Sequence, residues 1–455
     1  MNKKRKQKRK GQVDMLHGSL ADKIILFALP LAASSILQQL FNSADVAVAG
    51  RFAGSEALAA VGGNSPVINL IVNLFVGFSI GANVVIASAI GQGNKKRANR
   101  AVHTVISLAL VCGIVLIFIG NAVAAPILEM MDTPEKVLPL AVVYLRIYFC
   151  GMPFFMVYNF GSAVLRSIGD TKKPLYCLLV SGTINVALNL FLVIVFDMGV
   201  AGVAIATVTA NAISASMIIY FLLHADDTIR LDIKKLSFNK DEVVNIVKIG
   251  APAGLQGMVF SLSNVCIQAG INSFGTAGIA GSAAAVNYEF FTYFVTSAFT
   301  QACITFTSQN FGAKQYDRCK KILRISLVLA MICTACMSLI FVLGKGFFIG
   351  IYTTDKEAMV YGTARLIRVG MLTCLPPLYE VTGGALRGIG HSLTPAVLTV
   401  FGSCILRIVW INTIFKMFGS FEILMAVYPF TWVITSLLVI GEYFIIRKKE
   451  YERKS

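Results

Sequence analysis

Two copies of one sequence pattern, placed one after the other, make up most of this chain. An apolar run ends in LRSIG at residues 165–169, and a second ends in LRGIG at residues 386–390. Pro174 and Pro395 follow these two motifs at the same offset, and the step between the copies is 395 − 174 = 221. An apolar chain built from a duplicated multi-helix unit is the usual sequence signature of a secondary transporter, with its binding site between the two halves.

The chain is too apolar for an ordinary soluble protein, with 56% hydrophobic residues, 14% charged residues and a mean hydropathy of +0.74. Its apolar runs are continuous and do not alternate with period two, which excludes a closed β-barrel and favours helices of about 20 residues or more. Twelve such runs cover approximately residues 22–48, 58–90, 101–124, 138–164, 174–196, 200–223, 243–270, 279–308, 321–344, 358–386, 394–415 and 422–446.

These runs predict an all-α polytopic membrane protein, with twelve transmembrane helices in two six-helix lobes. Because each half has an even number of helices, both halves enter the membrane in the same sense, and the pseudo-two-fold axis should run along the membrane normal. The predicted parts are a basic N-terminal tail (residues 1–19), an N-lobe with helices 1–6 (20–223), a polar linker (224–242), a C-lobe with helices 7–12 (243–446) and a C-terminal tail (447–455).

The formal net charge of +17 is concentrated at one side of the predicted membrane. Seven of the first ten residues are Lys or Arg, and further basic residues follow helices 2, 4, 6, 8 and 10. By the positive-inside rule both termini are predicted to be cytoplasmic. A basic tail at residues 3–10 that binds RNA or anionic lipid is the alternative, although contact with membrane lipids is compatible with transport. No nucleic-acid partner is expected.

Motifs that the chain lacks narrow its chemistry. It has no GxxxxGK[ST] phosphate loop, no clustered His and Cys residues with metal-ligand spacing, and no convincing nucleophile triad. We therefore expect neither an enzyme nor a bound cofactor, and any uphill transport should be driven by a Na⁺ or H⁺ gradient.

A carboxylate within the first predicted helix is the strongest candidate site. An ionised side chain in hydrocarbon costs at least ~2.5–3.5 kcal/mol on insertion scales, so Asp45 is a functional candidate. Gln38 and Asn42 share its helix face, and Asn185 and Asn189 recur on one face of helix 5. Carboxylate and amide oxygens suit Na⁺, but a lone buried carboxyl could carry a proton instead. Solvation of Asp45 near the outer interface is the alternative.

Other polar residues in apolar runs are candidates for cargo binding. They are Asn69 and Asn73 on helix 2, Tyr288 and Glu289 on helix 8, Glu380 on helix 10 and Arg407 on helix 11. Glu289 is expected to face a cavity, and Glu380 could instead neutralise Arg387. Arg407 could form a structural ion pair or contact an anionic group. Each Asn could equally be a hydrogen-bonding contact between helices, and the aromatic residues around Glu289 could simply face lipid.

Several motifs resemble the multidrug and toxic compound extrusion (MATE) family. They are Leu29-Pro30, FNSAD at residues 41–45, VAGR at 48–51, GVAGVA at 199–204, the paired loops GQGNK at 91–95 and QNFGAK at 309–314, and the two LRxIG motifs. The resemblance covers about residues 20–446. It implies a bacterial cell-membrane antiporter with two six-helix lobes that expels amphipathic, often cationic compounds against inward Na⁺ or H⁺ flow. Separately, we expect the protein to function as a monomer.

The resemblance also assigns roles to individual residues. Asp45 matches the family's helix-1 aspartate, which participates in cation coupling, and Asn185 matches a helix-5 asparagine of the same cavity. Asn189 stands where many relatives have an aspartate, which puts a two-acid proton relay in doubt. Glu380 lies about one helical turn from the helix-10 acid of several relatives, and Glu289 resembles membrane acids of some branches only loosely.

Together these observations lead to one hypothesis and three alternatives. The hypothesis is alternating access, in which Asp45, assisted by Asn185 and Asn189, binds the coupling cation and so weakens cargo binding. The alternatives are a flippase for a lipid-linked or anionic lipid, an exporter of one metabolite, and a membrane-bound enzyme or receptor. A flippase would need several cationic residues facing the cavity, and an enzyme would need paired catalytic groups near one interface.

Overall fold

The computed structural model describes residues 12–452, which form helices and connecting loops without a β-strand. Each of the twelve apolar runs coincides with a helix or with a helix pair. We label them α1 to α12: Ala21–Ala53, Ser55–Gly91, Lys95–Met130, Leu138–Cys150 with Met152–Ser167, Lys172–Val195, Gly199–Leu223, Lys240–Asn272, Gly275–Gly312, Tyr316–Leu343, Lys356–Leu372 with Pro376–Gly388, Leu393–Phe418 and Phe421–Tyr451.

Within the described residues, nine of these helices are long and apolar enough to span a membrane, and the bent pairs α4 and α10 bring the number to eleven. The remaining helix, α8, has 38 residues but is less apolar, because it is rich in Thr, Ser, Asn and Gln. The predicted all-helical membrane architecture is therefore confirmed. The predicted basic segment at residues 3–10 lies outside the described residues.

Proline explains both of the sharp bends. The halves of α4 meet at 48° just before Pro153, and those of α10 meet at 44° just before Pro376. Proline cannot donate a backbone hydrogen bond and disfavours a helical conformation in the residue before it, so each ring begins a new helical segment. Pro30 and Pro252, by contrast, lie inside continuous helices.

Turns of π-helix occur in four of the helices. They end α1 at Ala49–Ala53, α5 at Phe191–Val195 and α12 at Lys448–Glu452, and they interrupt α11 at Val400–Ile405 and Ile411–Phe415. A π-turn adds one residue to a helical turn, and such turns are frequent at functional sites. Two candidate residues, Asp45 and Asn189, lie within one turn of such a segment, and Arg407 lies between two of them.

The described residues group into two compact units. Unit 1 contains the chain up to Gly63, Val85–Val243 and Gly312–Lys314, and unit 2 contains Asn64–Val84, Val244–Phe311 and the chain from Gln315 onward. The predicted lobe boundaries at residues 223 and 243 stay a prediction.

In unit 1 the polar linker folds back onto the start of α3. The Asn99 side chain donates to the backbone carbonyls of Asp227 and Arg230 at 3.0 and 2.9 Å. His103 Nε2 accepts a hydrogen bond from the Asp232 backbone at 3.1 Å. Buried Glu242 completes the contact through ion pairs with Arg97 and Arg100 at 3.1 and 3.2 Å. Polar anchors therefore hold the linker against the helix.

In unit 2 four glycines let α2 and α7 approach until their backbones touch. A Cβ atom on Gly77 would lie 2.6 Å from the Gly250 carbonyl oxygen, and one on Gly250 would lie 2.5 Å from Phe78 Cα. Gly254 contacts the backbone of Leu74, and Gly81 contacts that of Ile246. The two GxxxG motifs therefore form a close helix–helix contact of the kind common in membrane proteins.

Candidate cation site and charged clusters

Asp45 is buried in unit 1 within a cluster of polar side chains from α1, α5 and α6. Its carboxylate is 5% exposed and accepts hydrogen bonds from Asn189 Nδ2 and from Thr207 Oγ1, the latter at 3.0 Å. Asn185 Nδ2 donates to Thr207 Oγ1 at 3.4 Å. We call Asp45, Asn185, Asn189 and Thr207 the Asp45 cluster.

The Asp45 cluster contains a negative charge and two amide oxygens without protein donors. No Lys or Arg within residues 12–452 forms an ion pair with Asp45, although a buried carboxylate normally has a cationic partner. Both amide groups direct their nitrogen into the cluster, and the Oδ1 atoms of Asn185 and Asn189 are buried without a hydrogen bond. Buried oxygens of this kind suit a hard cation.

Two other residues predicted for this site lie outside the hydrogen-bonded cluster. Neither the Gln38 side chain nor that of Asn42 is buried, and neither is hydrogen-bonded to Asp45 in the described part of the chain. Their share in cation binding stays a prediction.

Thr207 is the member of the Asp45 cluster that sequence reasoning missed. Thr207 lies in a helix of mostly small and apolar residues, and no spacing in the sequence singles it out.

In unit 2 Glu289 is held by Arg365. The guanidinium donates from Nε and Nη2 to the two carboxylate oxygens at 2.7 and 2.9 Å, and its Nη1 donates to Ser282 Oγ at 2.6 Å. Arg365 is 3% exposed. The geometry matches a bidentate ion pair, so Glu289 is not a free acid, and its predicted place in a cavity stays a prediction.

Glu289→Gln should therefore destabilise the protein by about 3–5 kcal/mol, because it leaves the Arg365 charge buried without a counter-charge. The measurement is thermal unfolding of the purified protein in detergent. Glu422→Gln is the matched control, because it breaks an exposed ion pair with Arg368 at 3.3 Å and should cost less than about 1 kcal/mol. Equal losses in the two variants would contradict the structural role of Glu289.

Tyr288 is a packed residue. Its hydroxyl donates to the Phe348 carbonyl at 2.6 Å, and its ring lies 4.9 Å from that of Phe341 between centroids. Tyr288 is 6% exposed and belongs to a hydrophobic cluster with Ile349 and Leu366. These contacts fix the ring within unit 2, and its role in cargo binding stays a prediction.

The other predicted cargo residues are dispersed over unit 2. Asn73 donates to Ser261 Oγ at 3.3 Å, which is a contact between α2 and α7, while Asn69 is exposed. Glu380 lies two turns from Arg387 on α10 and interacts with it electrostatically. Their roles in cargo binding stay predictions.

Arg407 lies at the centre of a second charged region of unit 2. It is completely buried, and its Nη1 donates to Asn264 Oδ1 at 3.2 Å. The guanidinium carbon stands 5.0 Å from the ring centre of Phe260 and 4.8 Å from that of Tyr428. A weaker contact of 3.5 Å joins Nε to Thr431 Oγ1. We call Arg407, Asn264, Phe260, Tyr428 and Thr431 the Arg407 cluster.

The MatE family model matches this chain twice, at residues 30–191 and 252–412. The chain belongs to the MatE family. The starts of the two matches differ by 252 − 30 = 222 and their ends by 412 − 191 = 221, which agrees with the step of the internal repeat. The family resemblance of the sequence motifs is thus confirmed.

Curated relatives of this MatE-family protein are similar over most of their length. Probable multidrug resistance protein YoeA of Bacillus subtilis (strain 168) is 27% identical over 449 residues, with 94% of each chain covered. Multidrug export protein MepA of Staphylococcus aureus (strain COL) is 22% identical over 397 residues, which cover 86% of this chain and 87% of MepA.

Solved structures of MATE transporters share the fold of this MatE-family chain. An outward-facing multidrug resistance MATE family transporter of the MOP superfamily matches with a TM-score of 0.90 at 20% identity, over 97% of this chain and 99% of the other. A MOP superfamily transporter from Pyrococcus furiosus Vc1, described as having a binding pocket of reverse polarity, matches with a TM-score of 0.88 at 22% identity, over 98% and 99%.

Proposed function

We propose that this MatE-family protein exports amphipathic, often cationic compounds across a bacterial cell membrane by antiport against Na⁺ or H⁺. The relatives described as multidrug resistance and export proteins support the class of cargo. The observation that carries the proposal is the Asp45 cluster, where a buried carboxylate has polar partners and no basic one within the described residues. Such a group requires a positive charge, which either a metal cation or a proton can supply.

Two forms of coupling fit the cluster. Na⁺ would be held by the Asp45 carboxylate and, after rotation of the two amide groups, by the Oδ1 atoms of Asn185 and Asn189, which have no hydrogen-bond partner. A proton would instead neutralise the Asp45 carboxylate, with the amides and Thr207 keeping their hydrogen bonds. Because Asn189 cannot ionise, Asp45 is the only carboxylate of the cluster. It therefore carries the coupling ion in both cases, with Na⁺ and with H⁺.

Antiport follows if the cation and the cargo favour opposite states of the protein. Binding of the cation at Asp45 lowers the affinity for cargo, and by thermodynamic reciprocity bound cargo lowers the affinity for the cation to the same extent. Alternating access then couples the inward flow of the cation to the outward flow of the cargo. The basic connections of the sequence support cytoplasmic N- and C-termini, and a monomer is sufficient for this cycle.

The direct test is transport by the purified protein in liposomes. Ethidium fluorescence is followed while a Na⁺ gradient and a pH gradient are imposed separately, with protein-free liposomes as the control. Uphill movement of ethidium under one gradient is the expected result, and it identifies the coupling ion. Absence of movement under both gradients would contradict cation-coupled drug export and favour a lipid flippase or an exporter of one metabolite.

A further inference from the structure

Arg407 has the least compensated charge of the residues described above. Its side chain has no exposed surface, and no acid forms an ion pair with it between residues 12 and 452. Its Nη2 atom is buried and donates no hydrogen bond. A guanidinium carries five N–H donors, so this arrangement leaves part of its fork without an acceptor. Burial of an uncompensated charge and of an unpaired donor is costly, and it persists where a ligand supplies the missing partner.

The neighbours of Arg407 hold its guanidinium in place without neutralising it. Asn264 Oδ1 accepts from Nη1 at 3.2 Å, and the rings of Phe260 and Tyr428 lie within 5.0 Å of the guanidinium carbon. Aromatic faces and a neutral amide stabilise a cation, but they carry no negative charge that would neutralise it. The nearby acid Glu289 is already engaged, because Arg365 binds both of its carboxylate oxygens.

The Tyr428 ring is shared between two arginines, which concentrates positive charge in this part of unit 2. Arg365 stands 5.3 Å from the ring centre, donates to the Tyr428 hydroxyl at 3.3 Å, and is paired with Glu289. Arg407 stands 4.8 Å from the same ring. Two guanidinium groups and one carboxylate leave a net charge of about +1, so the region would attract a single negative charge.

A short route connects Arg407 with the surface of its unit. Asn264, which accepts from Nη1, is exposed, so one side chain separates the buried guanidinium from solvent or from a cavity. The π-turns at Val400–Ile405 and Ile411–Phe415 flank the α-helical segment that carries Arg407. A segment with irregular helical turns on both sides can adjust its rotation more easily than a regular helix.

We propose that the Arg407 cluster is an anion-binding site, which takes the carboxylate of an aromatic compound or a free halide ion. The chemistry shared by the two ligands is a single negative charge that accepts hydrogen bonds from Nη2 and Nη1. A planar carboxylate matches the guanidinium fork and receives two bonds, whereas a halide receives one or two from the same nitrogens. Phe260 and Tyr428 would contact the aromatic part of the carboxylate compound.

The two tryptophans of the chain are placed to report binding. Trp410 lies one helical turn after Arg407, and Trp432 follows Thr431 and has its ring centre 5.8 Å from that of Tyr428. The probes are benzoate, its neutral analogue benzamide, and chloride, each titrated into the full-length protein in detergent at constant ionic strength. Intrinsic tryptophan fluorescence is the measured signal.

The expected result is a saturable fluorescence change with benzoate and none with benzamide. Arg407→Gln should weaken benzoate binding at least tenfold, whereas Arg368→Gln, which removes an exposed arginine of the same unit, should leave it unchanged. A chloride response that competes with benzoate would support the site and identify a free anion as its ligand. A benzoate response without a chloride response would identify the carboxylate of a larger compound.

Arg407→Lys keeps the charge, so it tests the proposal even if the glutamine variant does not fold. It should bind benzoate up to about tenfold more weakly than the unmodified protein, because an ammonium lacks the planar fork. Equal responses to benzoate and benzamide in the unmodified protein or in the lysine variant would overturn the proposal. So would an unchanged benzoate affinity in Arg407→Gln, or no response to either anion. These assays contain no ion gradient, so their failure would leave the proposed antiport untouched.

Discussion

Replacement of Asp45 by Asn should abolish gradient-driven ethidium transport while leaving the amount of folded protein in the membrane unchanged. The side chain keeps its shape, and its amide oxygen can still accept from Thr207, but the charge that attracts Na⁺ or H⁺ is lost. Because coupling depends on that charge, we expect uphill transport to fall by a factor of about 100 or more. The measurement is the initial rate of ethidium movement in liposomes under the gradient that drives the unmodified protein.

Asp197→Asn is the matched control for that experiment. Asp197 is an exposed acid with a positive φ of 52°, a conformation that asparagine tolerates well, so the substitution removes one negative charge without strain. It should leave transport within about twofold of the unmodified rate. Transport by Asp45→Asn at the rate of the control would remove Asp45 from the coupling mechanism.

Replacement of Gly254 by Ala should destabilise unit 2 by about 3 kcal/mol, although alanine favours helix. The added methyl group would overlap the Leu74 carbonyl oxygen and lie 2.8 Å from Leu74 Cα. Backbone atoms cannot rotate away, so α2 and α7 must separate along their contact. That cost exceeds the gain in helix propensity, which is about 1 kcal/mol. Thermal unfolding in detergent, followed by size-exclusion chromatography, measures the effect.

Gly257→Ala, one turn further along α7, is the control for Gly254→Ala. A methyl group at Gly257 would lie 3.6 Å from Asn73 Cβ, which is an ordinary van der Waals distance. The substitution should therefore be neutral or stabilising by up to about 1 kcal/mol. Destabilisation of the same size in both variants would show that any side chain on this face is harmful and would contradict the close contact at Gly254.

The sequence predicted the fold well, because a helix that spans a membrane must be long, apolar and internally hydrogen-bonded. Each of the twelve apolar runs is a helix or a bent helix pair in the structure. The repeat step that separates Pro174 from Pro395 reappears in the two matches of the family model.

The candidate sites were predicted less completely, because hydrogen-bond partners depend on how helices pack. The spacing of Asn185 and Asn189 indicated their shared face, and both belong to the Asp45 cluster. Thr207 looked unremarkable in a helix of small residues. The interaction of Glu289 with Arg365 joins residues 76 positions apart, and no pattern within one helix reveals such a pair.

The π-turns of α11 change how the two halves of this protein should be aligned. At the step of the internal repeat Arg407 corresponds to Val186, a position next to Asn185, since 407 − 221 = 186. The turn at Val400–Ile405 inserts one residue ahead of Arg407, whereas the turn of α5 at Phe191–Val195 comes after Asn185. Because one residue rotates a helix by about 100°, this turn gives Arg407 the orientation on α11 that Asn185 has on α5, although the sequence step stays 221.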